Sequence, residues 1–202
     1  MDPRFEWRVH VAFWAAAASL RVPGDFVECG VNAGVMSSAI MHRLHWNSVG
    51  RRFHLIDTFA GPVLEQYSSN EIGCGRLAVA KAALDAGAYV TDLARVRSNF
   101  SEWPSAVVVP GSVPEVLPSL DIGAVAFLHI DMNCAYPERA ALEFFWERLS
   151  PGAIVLLDDY AYAGHDAQMR AMDEAAQILR AEILSLPTGQ GLIIKGAPLR
   201  RA

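Results

Sequence analysis

Short apolar runs alternate along this chain with longer stretches in which apolar positions recur every third or fourth residue. The runs Asp25 to Cys29, Phe53 to Asp57, Ala106 to Val109, Ala124 to Asp131, Ile154 to Asp158 and Leu192 to Lys195 read as strands bounded by Gly, Asn or polar turns. The helical period falls over Val9 to Leu20, Val35 to His45, Val113 to Ser119, Pro137 to Leu149 and His165 to Leu179. In the first helix Phe13, Trp14 and Leu20 are expected to pack on the sheet; in the last, Met169, Met172, Ala176 and Leu179 mark a core face. Trp46, Trp103 and Trp146 read as packing residues. Strands joined by helices predict βαβ units, hence an α/β fold with a doubly wound, mainly parallel sheet. The short turn Pro187 to Gly191 predicts an antiparallel closing hairpin between the segments around Ile183 and Leu192.

One stretch breaks this rhythm. Thr58 to Pro104 is punctuated by Gly61-Pro62, Gly73, Gly75 and Gly87, with helical patches at Arg76 to Leu84 and Tyr89 to Phe100. A connection this long inside a compact domain is usually a lid or an inserted cap. It is therefore expected to cover the site and select the substrate within a single domain, residues 1 to 202. Composition suits that domain: 52% of the 202 residues are hydrophobic, enough for a sizeable core. A net charge of -5 argues against a nucleic-acid surface, which needs a basic stripe, and the basic run Lys195 to Arg201 reads as a solvated terminus. The cysteines, Cys29, Cys74 and Cys134, lack the spacing of a zinc site or a disulfide framework, and a reducing cytoplasm fits them best. Val9 to Leu20 is too short to span a bilayer, so no membrane attachment is expected.

Carboxylates stand where two of the apolar runs end: Asp131 after Val125 to Ile130, and Asp158 and Asp159 after Ile154 to Leu157. If these are neighbouring parallel strands, their ends open onto the crevice where α/β sheets bind ligands. Together the oxygens suit a hard divalent cation such as Mg²⁺. Consecutive residues of a regular strand face opposite sides, so Asp158 and Asp159 reach one ion only if the strand breaks there. The plainer reading is that each caps a turn or helix. His129, on the face of Asp131, is a second base or a packed core histidine; His165 and Gln168 open the next helix at the same end of the sheet.

A glycine-rich turn, Glu28-Cys29-Gly30-Val31-Asn32-Ala33-Gly34, follows the first strand, with Ser37 on the first turn of the next helix. Such a turn lets backbone approach a ligand and offers the free N–H groups of a helix start. Its E-x-G-x-x-x-G spacing differs from the G-x-G-x-x-G of a dinucleotide site. It resembles motif I of class I S-adenosylmethionine-dependent methyltransferases, whose loop wraps the methionine end of the cofactor. Asp57 ends the second strand, followed by Thr58, where an acid can accept hydrogen bonds from ribose hydroxyls or cap a local turn. Gly111-Ser112 follows the third strand, where such sheets seat an adenine.

Taken with Gly24 to Val31, Asp57 to Pro62, His129 to Asn133, Leu149 to Gly152, Asp158-Asp159-Tyr160 and Leu186 to Gly191, the chain resembles the TylF/MycF-like O-methyltransferases. That resemblance implies a Rossmann-like, seven-stranded sheet whose last strand is antiparallel. It also implies Mg²⁺-dependent transfer of methyl from S-adenosylmethionine to a hydroxyl of a small molecule, a sugar or glycosylated metabolite. The metal would lie on Asp131, Asp158 and Asp159, with Asp131 also accepting the proton. The cofactor would lie against Glu28, Gly30, Asn32, Ala33, Gly34, Ser37, Asp57, Thr58, Gly111 and Ser112. Assembly as a homodimer or higher homo-oligomer is expected on the same ground. The chain departs from the family at Asn133 and Tyr136, where D-x-D-x-Y is usual, and at Gly61-Pro62, which lacks an intervening Leu. Two competing readings are an NAD-linked oxidoreductase, disfavoured by the glycine spacing, and a non-catalytic S-adenosylmethionine-binding protein.

Overall fold

The structure, a computed structural model, describes residues 3–196, so residues 197–201 of the basic run lie outside the described residues. Seven strands form one sheet: β1 (Asp25–Cys29), β2 (Phe53–Asp57), β3 (Ala106–Pro110), β4 (Val125–Ile130), β5 (Leu149–Leu157), β6 (Leu184–Ser185) and β7 (Gly191–Ile194). Their order across the sheet is β3-β2-β1-β4-β5-β7-β6, with β7 antiparallel to both neighbours. This is the doubly wound α/β fold with its closing hairpin. Every residue of β4 is buried, as expected of a central strand covered on both faces.

The helices are α1 (Pro3–Ser19), α2 (Val35–Arg43), α3 (Ser69–Gly73), α4 (Arg76–Asp85), α5 (Leu93–Asn99), α6 (Ala135–Trp146) and α7 (Asp166–Leu179). Phe26, Phe53, Phe127 and Trp46 pack with α1 and α2 on one face of the sheet. Val27, Leu128 and Val155 meet Leu142, Phe145 and Met172, of α6 and α7, on the other. Trp103 and Trp146 are buried, as packing residues should be.

Three expectations are corrected. Helix α1 does not turn Trp14 to the sheet; that ring is 54% exposed, while Ala12, Ala15 and Ala16 are fully buried. Small side chains at this spacing let the helix axis approach the strands closely, and the bulky Trp14 points outward. The stretch Val113 to Ser119 forms only a short 3-10 turn, Leu117–Ser119, because Pro114 and Pro118 lack the N–H that a longer helix needs. Strand β5 starts at Leu149, earlier than its apolar run, since Leu149 pairs with Val125 before a register shift leads into Ile154.

Register decides what reaches the site. Glu28 lies opposite Leu55 on one side and His129 on the other, and His129 lies opposite Leu156. Side chains alternate along a strand, so these four share the α1 face of the sheet. Asp57, Asp131 and Asp158 each come two residues after Leu55, His129 and Leu156, at the carboxyl ends. The acids converge because the strands are parallel and in step.

Candidate active site

A cavity of about 310 Å³ opens at these carboxyl ends. Glu28, Gly30, Asn32 and Ala33 line it from the first turn, Asp57 and Thr58 from the second strand end, and Gly111 and Ser112 from the third. Asp131 lines it from β4. Gly34 and Ser37 stay behind this wall: Gly34 caps α2 with φ 81°, and the buried Ser37 Oγ turns back to the Gly34 carbonyl at 3.4 Å.

Gly30 is dictated by its surroundings. A Cβ there would stand 1.9 Å from the carbonyl oxygen of Asp131, so any other residue would push the glycine-rich turn away from β4. Asp57 shapes the same turn. Its Oδ2 accepts the backbone N–H groups of Val31 at 2.7 Å and Asn32 at 2.8 Å, and its Oδ1 that of Phe59 at 2.7 Å. Asn32 holds the segment above: its Oδ1 accepts from Val90 N at 2.8 Å and its Nδ2 donates to the Ala88 carbonyl at 3.1 Å. Tyr89 and Val90 thereby hang over the cavity. The same segment is tied down at Glu71, whose Oε1 accepts from Ala135 N at 2.9 Å, and at Gln66, whose Nε2 donates to the Val113 carbonyl at 2.7 Å.

The second half of the site is a buried charge cluster. Glu28 Oε1 lies 2.9 Å from His129 Nδ1, and His129 Nε2 lies 3.5 Å from Asp158 Oδ1. Asp158 Oδ1 also accepts from Gln190 Nε2 at 2.8 Å. Arg8, from α1, ion-pairs with Asp158 Oδ2, donates to the Asp158 carbonyl at 2.9 Å and to Asp159 Oδ1 at 2.9 Å. Burial alone would raise Asp158, but His129, Arg8 and Gln190 hold it down at about 2. Asp131 carries no such set of donors. Burial, reinforced by the charges of Asp158 and Asp159, lifts it well above the usual carboxylate range. Burial opposes the charged form of His129, yet Asp158 and Glu28 raise it well above an ordinary imidazole. Glu138 on α6 accepts from Met132 N at 3.1 Å and Gln168 Nε2 at 3.0 Å, and so fixes the loop beyond Asp131; burial and Asp159 push it up to about 8.

Both halves fit groups that the sequence implies. Glu28 Oε2 is buried at the cavity wall without a hydrogen-bond partner among the described residues, a place suited to the ammonium of an amino-acid ligand. Among the described residues, the four carboxylates Glu28, Asp131, Asp158 and Asp159 face the cation of Arg8 and the imidazoles of His129 and His165, an excess of acid suited to a divalent cation. The side chains of His129, Asp131 and Asp158 bring one ligand atom each within 4.8 Å of one another. Asp159 is outside that group. Sequence reasoning missed Arg8, Gln190 and Glu138; the signal for Glu138 was a charge in register with Ala141, Leu142 and Phe145 on a buried helix face.

A family model described as a methyltransferase domain matches residues 27–160, which run from β1 through the acid pair. The chain belongs to this methyltransferase-domain family. The 8-demethyl-8-(2,3-dimethoxy-alpha-L-rhamnosyl)-tetracenomycin-C 4'-O-methyltransferase of Streptomyces olivaceus is 31% identical over 150 residues, covering 69% of this chain. The chain spans 54% of that relative's length. Among solved structures, the O-methyltransferase NovP superposes with a TM-score of 0.78 at 19% identity, covering 94% of this chain and 80% of NovP. The calicheamicin methyltransferase CalS11 gives 0.64 at 21% identity, with 94% and 79% covered. These two likenesses establish the methyltransferase fold. Among the described residues no helix is long and apolar enough to cross a membrane.

Proposed function

We propose that the chain is an S-adenosylmethionine-dependent O-methyltransferase of the TylF/MycF type, acting on a hydroxyl of a sugar or glycosylated metabolite. The observation that carries the reading is the cavity at the strand ends, walled by the turn from Glu28 to Ala33, by Asp57 and by Gly111 and Ser112, with Asp131 on its rim beside the acid pair. The name of the Streptomyces olivaceus relative, a rhamnosyl 4'-O-methyltransferase, supports the acceptor class.

Glu28 and the turn from Gly30 to Ala33 hold the methionine end of the donor, Asp57 and Thr58 border its ribose, and Gly111 and Ser112 its adenine. Asp131, which lines the cavity, accepts the proton of the acceptor hydroxyl as general base. The oxygen then attacks the methyl carbon in line; the C–S bond breaks, its electrons stay on sulfur, and S-adenosylhomocysteine leaves. The proton passes from Asp131 to solvent. Asp131, Asp158 and Asp159 would hold a divalent cation, which would supply a lowered pKa and a fixed orientation to an acceptor hydroxyl. Tyr89 and Val90, held by Asn32, exclude water above the donor, and residues 58–104 act as the lid that selects the acceptor. Assembly is as a homodimer or larger, which light scattering would test.

The test is a methyl-transfer assay by mass spectrometry with S-adenosylmethionine and rhamnosylated aglycones, beside calorimetry with S-adenosylmethionine, S-adenosylhomocysteine and NAD. Binding of both sulfur ligands and a product heavier by one methylene are expected. Asp131→Asn should lower turnover by about a thousandfold while donor affinity stays within about threefold. Binding of NAD alone would sink the proposal.

A further inference from the structure

We infer that the outer flank of α1 and the adjoining face of the β6–β7 hairpin form the surface on which two copies of this chain associate. This surface gives a place to the assembly proposed above and rests on that reading alone, independent of the transfer chemistry.

Helical spacing sets out one side of the surface. Residues of α1 advance by about 100° each, so Arg8, Ala12, Ala15 and Ser19, on the line that faces the sheet, separate two flanks. Phe5 and Phe13 stand on one flank, where Phe5 lines the cavity beside Val35 and Met36 at the start of α2. Trp7, Val11, Trp14 and Ala18 stand on the other. That flank therefore looks away from α2, toward β5 and β7.

Strand register sets out the other side. Leu184 lies opposite Leu192, which packs in the core beneath α1, and Ile194 follows Leu192 by two residues. Side chains alternate along a strand, so Leu184 and Ile194 stand on the α1 face. Trp7, Trp14, Leu184 and Ile194 are each more than half exposed. Among the described residues no helix covers them: α2 and α5 pack on the far side of α1, and α6 and α7 on the opposite face of the sheet.

The four side chains leave on the order of 400 Å² of apolar surface in water, a patch of the size that marks a binding surface on a monomer. Doubled by a second copy and extended by Val11, Ala18 and Leu186, it approaches the roughly 1,000 Å² that a stable interface needs. Strand β6 is two residues long, too short to template another strand, so the occupant packs by side chains. Pairing about a twofold axis requires a patch that complements itself. This one does: the rings at Trp7 and Trp14 alternate with the smaller Val11 and Ala18, and the aliphatic Leu184 and Ile194 lie alongside for a partner's rings to cover. None of these side chains is charged, whereas the net charge of -5 opposes an anionic lipid surface. Arg8 follows Trp7, so the association also holds down the helix that supplies the counter-charge to Asp158 and Asp159.

The test is sedimentation velocity over about 1 to 100 μM, with the wild type, Trp14→Glu, Leu184→Glu and Ile178→Glu, folding being checked by circular dichroism. Ile178 is an exposed residue of α7, on the opposite face, and serves as the control. The wild type should dimerise. Trp14→Glu and Leu184→Glu should each raise the dissociation constant by about thirtyfold or more, and Ile178→Glu by no more than about threefold. Acrylamide quenching of the wild type gives a reading free of mutation: Trp46, Trp103 and Trp146 are buried, so dilution should increase quenching by exposing Trp7 and Trp14. A dimer that survives both substitutions, or whose dissociation leaves quenching unchanged, overturns this face and leaves the assembly standing. A wild type that stays monomeric at about 100 μM overturns the face and the assembly together, and cosedimentation of that monomer with phosphatidylcholine vesicles would assign the strip to a lipid surface. Neither result touches the methyl-transfer reading.

Discussion

Asp57 and Asp158 end strands on either side of the β1–β4 pair, both on the α1 face, and both have their oxygens engaged. Their partners are of different kinds. Asp57 is held by backbone N–H groups of Val31, Asn32 and Phe59, all in turns next to its own strand end or the neighbouring one. Asp158 is held by side chains that arrive from far along the chain, Arg8 from the first helix and Gln190 from the closing turn. A carboxylate pinned by backbone is part of a rigid cradle. One pinned by side-chain cations and amides keeps a charge that another cation can claim. The donor half of the site is thus built as a shape, and the acid half as an electrostatic balance.

The largest expected effect lies in that balance. Arg8 faces two carboxylates that are almost entirely buried, and removing one partner of such a pair leaves charge uncompensated. Arg8→Gln should destabilise the fold by about 3 to 5 kcal/mol in denaturant titrations at pH 7. A loss below about 0.5 kcal/mol would mean that the acid half does not depend on Arg8, and the contrast with Asp57 would fail.

Next comes Glu138, the buried acid that fixes the loop after Asp131. Its folded pKa is raised to about 8 by burial and Asp159. The folded state therefore binds the proton more tightly than the unfolded chain, so this contribution is complete below about pH 4.5 and falls as pH rises toward 8. Glu138→Gln keeps an acceptor for Met132 N and Gln168 without the ionisation. The variant should gain on wild type by on the order of a few kcal/mol between pH 5 and pH 8, read from denaturation midpoints at each pH. Parallel pH profiles for the two proteins would show that Glu138 ionises normally.

The same contrast explains what the sequence made legible. The strands, the glycine turn, Asp57 at its strand end and the closing hairpin are local sequence patterns, and all were readable, although the groups that fix Gly30 and Asp57, the Asp131 carbonyl and the Val31 and Asn32 N–H groups, come from adjacent strand ends. The acids could be named from strand ends, but their partners could not. Arg8 reaches Asp158 across 150 residues, and finding it needs the buried face of α1. That face runs through Arg8, Ala12, Ala15 and Ser19; Phe13 and Leu20 pack at its flank as expected, but bulky Trp14 lies on the outer side. Alanines at helical spacing carry a weak hydrophobic signal although they pack most closely. The Glu28–His129 pair was likewise invisible until the β1–β4 register set the two opposite each other.

On the donor side the effects should be smaller and confined to the ligand. In Asp57→Asn an amide N–H must face one of the backbone donors that the carboxylate now satisfies, which costs about 1 to 3 kcal/mol for a part-buried group. Affinity for S-adenosylmethionine should fall about tenfold in calorimetry, with the loosened turn as the cause. Unchanged affinity would mean that the cradle's shape does not depend on Asp57.

The smallest effect tests whether the cradle is truly backbone-built. Thr58 Oγ1 donates to the Gly61 carbonyl at 2.6 Å and accepts from Ala60 N at 3.2 Å, so it braces the start of the segment that covers the cavity. Thr58→Val keeps the shape and removes both bonds together with the hydroxyl's 3.3 Å contact to Asp57 Oδ1, a loss of about 1 kcal/mol for a neutral, partly exposed turn. Because Asp57 retains its three backbone donors in this variant, affinity for S-adenosylmethionine should change by no more than about threefold. A larger loss than in Asp57→Asn would reverse the assignment: the hydroxyl, and not the backbone-pinned carboxylate, would then set the geometry of the donor half.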